Sequence, residues 1–128
     1  KVEIKCDQDI VLDSYPGVVC QIVTNLVLNS LIHAYDGEEE GILTFEFKLE
    51  GDRLIFEYAD NGKGITPENL SKIFEPFFTT KRGQGGTGLG LHIIYNLVTQ
   101  KLKGTICCES QVDKGTRFTI EFPAKISN

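Results

Sequence analysis

The sequence predicts a two-layer α/β sandwich, a mixed sheet with its helices on one face. Three observations predict it. Several segments alternate apolar and polar residues with the period of a half-buried strand. Two longer segments repeat their apolar residues at helical spacing instead. Their order along the chain is strand, helix, two strands, short helix, loop, helix and two strands.

Taken in order, Val2–Cys6 alternates as a strand does. Asp13 and Ser14 followed by Pro16 mark a helix start, a polar cap with proline in the first turn. That helix runs from about Tyr15 to His33. Gly41–Leu49 alternates strictly, with Leu43, Phe45, Phe47 and Leu49 on one face. Gly51 and Asp52 form a hairpin turn pair in inverted order, and Arg53–Ala59 is the return strand. Thr66, Pro67, Glu68 and Asn69 open a short helix reaching about Phe74. Glu75–Thr87 has aromatics, proline and glycine without a period and reads as a loop. Gly88–Leu102 is helical, with Leu89, Ile93, Ile94, Leu97 and Val98 on one face and Gly104 as its C-cap. Thr105–Ser110 and Thr116–Pro123 are strands around a turn at Val112–Gly115.

Composition bounds the function classes. A chain of 128 residues forms one domain, and the 41% hydrophobic and 24% charged residues are ordinary for a globular protein. The net charge of -5, with no Lys/Arg cluster, argues against a nucleic-acid surface. The longest apolar run falls far short of the ~20 residues a membrane span needs, and no signal peptide is visible. A chain that begins at Lys1 and has no methionine reads as a domain cut from a longer protein. Cys6, Cys20, Cys107 and Cys108 form no CxxC pair, which makes zinc a poor fit. They read as small buried hydrophobes kept reduced, Cys107 and Cys108 pointing to opposite faces of their strand.

Three segments carry chemistry. In the first long helix Gln21, Asn25, Asn29 and His33 sit at steps of four and form one polar stripe. The flanking residues and the opposite side are mostly apolar, so the helix reads as covered on both sides. Buried amides left unpaired cost roughly 1–3 kcal/mol each. Their partners are either neighbouring helices and loops, or a ligand or metal; an amide oxygen is a hard neutral donor suited to Mg²⁺. Second, Asp60 ends a strand and is followed by Gly62 and Gly64. Such glycines permit positive φ and close backbone approach, and the carboxylate can accept from an exocyclic amine, although a plain turn also explains the pattern. Third, Gly83, Gly85 and Gly88 match GxGxxG literally. No strand precedes them, and Leu89 and Gly90 stand where a P-loop needs Lys and Ser/Thr. A glycine loop leading into a helix N-terminus remains, a place that favours phosphate. Lys81 and Arg82 lie just upstream, either as phosphate partners or as a solvated charge pair.

With these residues in view, the chain resembles the catalytic ATP-binding domain of sensor histidine kinases, in the GHKL superfamily. The resemblance spans essentially all of residues 1–128, read as a single domain. It rests on four motifs in the family's order: Asn25–Ser30 as the N box, Asp60–Ile65 as the first G box, Phe74–Lys81 as the F box and Gly86–Leu91 as the second G box. It implies the Bergerat fold, an α+β two-layer sandwich whose mixed, mostly antiparallel sheet of about five strands packs on about three helices, with an ATP lid loop. It implies ATP and Mg²⁺ as ligands. Asn29 would coordinate the metal, with Asn25 beside it near the phosphates. Asp60 would bind the adenine amine, supported by Thr116 through water, and Gly62, Gly64 and Ile65 would line the base. His33 would lie against adenine or ribose. Lys81 and the segment Gly86, Thr87, Gly88, Leu89, Gly90 and Leu91 would form the lid, anchored by Phe74, Phe77 and Phe78. Asn29 and Lys81 would be the catalytic pair. One departure is Ile32, where many relatives carry Lys or Arg.

Asn25 bears on the reaction class. GHKL members that hydrolyse ATP or phosphorylate serine carry Glu there as general base, because a hydroxyl or water must be deprotonated. A neutral imidazole is already a nucleophile near pH 7, so Asn25 fits a histidine acceptor. Neither His33 nor His92 sits in a His-Glu/Asp acceptor segment. The expected partners are therefore an upstream dimerisation domain bearing the histidine and, through it, a response regulator. The fragment is expected to be a cytoplasmic monomer, its parent a homodimer that could be anchored in a membrane. The rival readings are a degenerate nucleotide-binding or docking module without phosphoryl transfer, to which Ile32 points, and a GHKL ATPase or serine kinase, against which Asn25 argues.

Overall fold

A computed structural model describes residues 2–6, 16–33, 41–76 and 90–123; residues 2–6, 16, 32 and 33 are described by backbone alone. Strand β1 (Val2–Cys6) is followed by helix α1 (Pro16–His33), the hairpin β2 (Leu43–Glu50) and β3 (Arg53–Asp60), and the one-turn helix α2 (Pro67–Leu70). Helix α3 (Gly90–Asn96) continues into a π-helical turn (Leu97–Lys101), and β4 (Thr105–Gln111) and β5 (Gly115–Pro123) close the chain. The strands form one sheet in the order β1-β2-β3-β5-β4. Among the described strands only β1 runs parallel to its neighbour, joined to β2 through α1, as a parallel pair requires a crossover. All other pairs are antiparallel. This is the mixed, mostly antiparallel two-layer sandwich expected.

The sheet has one apolar and one polar face because its strands keep strict parity. In β3, Leu54, Phe56, Tyr58 and Asp60 are buried while the residues between them are not. Across the register, Phe118, Ile120 and Phe122 of β5 and Phe45 of β2 extend the same face. Ile22 and Leu26 of α1, and Ile94, Val98 and Leu102 around α3, close the core against it. Each such side chain contributes ~1.5–3 kcal/mol on full burial. The other face carries Glu46, Lys48, Glu57, Glu109 and Arg117, as an antiparallel sheet with one solvated side allows.

Three expectations are corrected. Helix α1 is not covered on both sides: Leu28 and Leu31 are 49% and 59% exposed. The core lies on one side of the helix, and it takes the stripe Ile22, Leu26 and Ser30. The C-terminal end of α3 is not capped by a left-handed Gly104. The helix first widens, Leu102 N–H bonding to Leu97 O at 3.0 Å, and Lys103 then takes the left-handed turn at φ 57°. Gly104 is required for another reason: a Cβ there would lie 2.1 Å from Glu121 O. Finally, Cys20 and Cys107 are exposed rather than buried. Cys20 lies on the solvent stripe of α1, and Cys107 has the outward parity of β4, so it does face away from half-buried Cys108. The expected cap at Asp13 and Ser14 lies outside the described residues.

Candidate functional site

The site grows from Asp60, the last residue of β3. Strand parity turns its side chain toward the helical layer, where it is 9% exposed. Two donors from different elements hold the carboxylate. Ser30 of α1 donates to Oδ2 at 2.8 Å, and Gly62 N–H donates to Oδ1 at 3.0 Å. Tyr58 Oη in turn donates to Ser30 Oγ at 2.7 Å. Ser30 and Tyr58 are essentially inaccessible, at 1% and 0%. A carboxylate oxygen has two lone pairs, so each oxygen of Asp60 keeps one for a further donor.

The loop after Asp60 is fastened to the β4–β5 hairpin. Asp113 N–H bonds to Lys63 O at 2.8 Å, and Ile65 N–H bonds to Ser110 Oγ at 2.8 Å. Gly64 has φ +76° and lies so close to the hairpin that a Cβ would sit 2.1 Å from Gln111 O. Its positive φ brings the loop backbone against the hairpin backbone. On the same side, Thr116 of β5 is the register partner of Asp60 and is 7% exposed. Ser110 gives its single proton to Gly115 O, so in the Ser110–Thr116 contact of 2.8 Å the threonine is the donor. Thr116 therefore has only acceptor capacity left for a water or ligand.

Asn25 and Asn29 lie half-buried on α1, next along the helix to the buried stripe that carries Ser30. Among the described residues no hydrogen bond is made by either amide, and no buried side-chain nitrogen or oxygen lacks a partner. Half-buried amides of this kind are free to meet a ligand. Among the same residues no group of three or more His, Cys, Asp or Glu could cage a metal. A divalent ion would have to rely on amide oxygens, phosphate and water, and that donor set fits Mg²⁺.

The structure thus brings together Asp60, Gly62, Ile65 and Thr116, with Asn25 and Asn29 on the adjoining helix. His33 closes α1, and Gly90 and Leu91 open α3. Lys81, Arg82, Phe77, Phe78, Gly86, Thr87, Gly88 and Leu89 lie outside the described residues. Phe74 packs on Tyr95 and Phe118, with ring centroids 5.5 and 6.4 Å away. Both ring nitrogens of His92 are engaged: Nδ1 with Phe74 O at 3.1 Å and Nε2 with Asn96 Nδ2 at 3.2 Å. Asn96 can only donate there, which places the proton of His92 on Nδ1, and this histidine joins α3 to the segment after α2.

Sequence reasoning missed Ser30, Tyr58 and Ser110. A signal for the first two was present. Ser30 continues the Ile22, Leu26 stripe at steps of four, and Tyr58 shares the inward parity of Asp60. Polar groups on two inward tracks need one another.

Cys108 borders the site. Burial pushes its thiol up from an ordinary 9.0 to about 12, with the negative charges of Asp60, Glu109 and Cys107 adding to it. Between these values the unfolded chain releases a proton that the folded chain keeps, so stability is full below pH 9 and falls as the pH rises toward 12. Urea midpoints between pH 8 and 11 should fall more steeply for the wild type than for Cys108→Ala; parallel curves would contradict this assignment.

This five-stranded sheet with its helices on one face, and a pinned carboxylate facing the amide-bearing helix, defines the class of ATPase-type nucleotide-binding domains. The family described as "Histidine kinase-, DNA gyrase B-, and HSP90-like ATPase" matches residues 16–126, and the chain belongs to that family. The chain is 44% identical to the sensor histidine kinase ZraS of Salmonella typhi over 109 residues, 84% of this chain and 22% of that protein. It is 51% identical to the sensor kinase CckA of Brucella abortus (strain 2308) over 77 residues, 60% of this chain and 8% of that protein. It therefore spans less than a quarter of either relative. Among solved structures, the nucleotide-free catalytic domain of histidine kinase ThkA superposes with a TM-score of 0.80 at 29% identity, covering 96% of this chain and 79% of that one. Full-length ShkA in complex with AMPPNP gives 0.80 at 26% identity, covering 98% of this chain and 26% of that one. Among the described residues no helix is long and apolar enough to cross a membrane.

Proposed function

We propose that this domain binds Mg·ATP and presents its γ-phosphate to a histidine on a separate dimerisation domain, in a two-component signalling protein. The observation that carries the reading is Asp60: a buried carboxylate held by two protein donors, with a lone pair open on each oxygen. That is an acceptor prepared for an exocyclic amine, and Thr116, its register partner, offers a second acceptor for a bridging water. In this reading Gly62, Gly64 and Ile65 border the base and His33 the sugar side. Asn29 holds the metal, with Asn25 beside it near the phosphates. Bound Mg²⁺ supplies charge neutralisation at the phosphates. Lys81 and the Gly86–Leu91 segment hold the terminal phosphate, and charge and positioning carry the catalysis. No general base is needed for a neutral imidazole acceptor, in keeping with Asn25. A response regulator would then receive the phosphoryl group from the dimerisation domain. The similarity to ShkA, solved with AMPPNP, and to the sensor kinases supports this reading.

Calorimetric titration with a non-hydrolysable ATP analogue tests it, with and without Mg²⁺. Asp60→Asn replaces a charged acceptor, a hydrogen bond of ~1.5–3 kcal/mol, and should weaken binding by about 10- to 100-fold. Asn29→Ala should abolish the dependence on Mg²⁺. A well-folded chain that binds no nucleotide would instead be a docking module without phosphoryl transfer.

A further inference from the structure

We propose that Tyr58 and Ser30 are positioning residues that set base selectivity, through a directed relay from Tyr58 Oη to Ser30 Oγ to Asp60 Oδ2. The inference rests on the reading of Asp60 as the acceptor for the base.

The direction of the relay follows from proton counting. An ionised carboxylate only accepts, so the single proton of Ser30 goes to Asp60 across 2.8 Å. Ser30 then has lone pairs only, and the 2.7 Å contact with Tyr58 must use the tyrosine proton. Tyr58 lies on the same strand as Asp60, two residues before it, and Ser30 lies on α1. The relay therefore ties helix to sheet at the point where the carboxylate sits. At 0% and 1% exposure the two hydroxyls have no water to use instead. Breaking the chain removes a hydrogen bond from a buried site, so the arrangement is held firmly.

The effect on Asp60 is orientational. Gly62 N–H fixes Oδ1 at 3.0 Å and Ser30 fixes Oδ2. With a donor on each oxygen the carboxylate cannot rotate without losing one, and it stays an obligate acceptor. Such a group rewards a base with an amine opposite it and rejects a base with a carbonyl oxygen, since two acceptors then face each other without a proton. Take away Ser30, and Oδ2 loses its donor. The carboxyl is then free to turn, and its acceptor lone pairs are no longer aimed at the position of the amine. Selectivity between 6-amino and 6-oxo purines is thus the property the relay controls.

The experiment compares ADP and IDP, with Mg²⁺, by calorimetry on the 128-residue chain and its variants. These ligands differ at the purine 6-position and the adjoining ring nitrogen. Ser30→Ala should weaken ADP about tenfold and change IDP by less than about twofold, so the ADP/IDP ratio falls by at least about fivefold. Tyr58→Phe keeps the ring that packs on Phe45 at 5.0 Å and removes only the hydroxyl group, so it breaks the relay while leaving the aromatic packing in place. It should lower the ratio about threefold. Combining the two should match Ser30→Ala alone, because Tyr58 acts through Ser30. In an Asp60→Asn background, Ser30→Ala should leave the ratio unchanged. A purely structural role would lower thermal stability and weaken both nucleotides in proportion. If the folded wild type binds ADP and the ratio is the same in Tyr58→Phe and Ser30→Ala, the relay is refuted while the nucleotide reading stands. If the folded wild type binds neither nucleotide, both fall together.

Discussion

Gly64→Ala is expected to destabilise the domain by about 2–5 kcal/mol, adding ~1–2 kcal/mol for a left-handed non-glycine residue to ~1–3 kcal/mol for overpacking. The new Cβ would stand 2.1 Å from Gln111 O, 2.7 Å from Gln111 C and 3.0 Å from Val112 Cα, all backbone atoms of the β4–β5 hairpin. No side chain can move aside to relieve the clash. Either the hairpin retreats or the Asp60–Ile65 loop does, and both routes break the bonds Asp113 N–H to Lys63 O and Ile65 N–H to Ser110. At roughly 4 °C per kcal/mol for a chain of this size, the melting temperature should fall by about 8–20 °C. Nucleotide affinity should fall with it, because Gly62, which fixes Asp60, belongs to the same loop. Gly17→Ala is the control: its Cβ meets nothing within 4 Å, and in a helix alanine should be neutral or stabilising by up to ~1 kcal/mol. Thermal denaturation followed by circular dichroism decides the matter. A Gly64→Ala protein melting within about 2 °C of wild type would mean that the hairpin yields at little cost.

Phe118→Ala should cost about 3–5 kcal/mol, the range for deleting a buried phenylalanine. Phe118 is 1% exposed on β5, between Tyr58 and Cys108 in the sheet register, with Phe74 edge-on at 6.4 Å. Its ring is shared by the core, by the flank of Tyr58 and by the segment that His92 joins to α3. The cavity would therefore open beside the polar relay as well as inside the apolar layer. Chemical denaturation should show a lower midpoint with an unchanged slope. Phe118→Leu, which keeps most of the volume, should lose less than about 1.5 kcal/mol. If the alanine and leucine variants prove equally stable, the ring is not packed as described.

Much of the fold was legible because it follows local rules. Parity in Gly41–Leu49 and Arg53–Ala59 reports which residues face the core, since successive side chains alternate across a strand. Thr66 and Pro67 announce α2 because an orphan N–H needs an acceptor and proline needs none of its own; Thr66 Oγ1 does accept from Asn69 N–H. The motifs of the candidate site were legible for a similar reason: Asp60, Gly62 and Gly64 lie within five residues of one another, and Asn25 and Asn29 share one helical face.

What sequence alone determined is the element order, the inward face of each strand and the short motifs, because each depends on neighbours within a few residues. Only the tertiary structure decided which inward groups meet. Ser30 meets Asp60 and Tyr58 across separations of 30 and 28 residues, and Ile65 meets Ser110 across 45. It also decided that Gly64 yields to the β4–β5 hairpin, that Leu28 and Leu31 stay in water, and that Gly104 gives the left-handed turn to Lys103. The physical reason is common to all: a hydrogen bond or a van der Waals contact is set by distance in space, and the chain carries no local record of which distant backbone will arrive beside it.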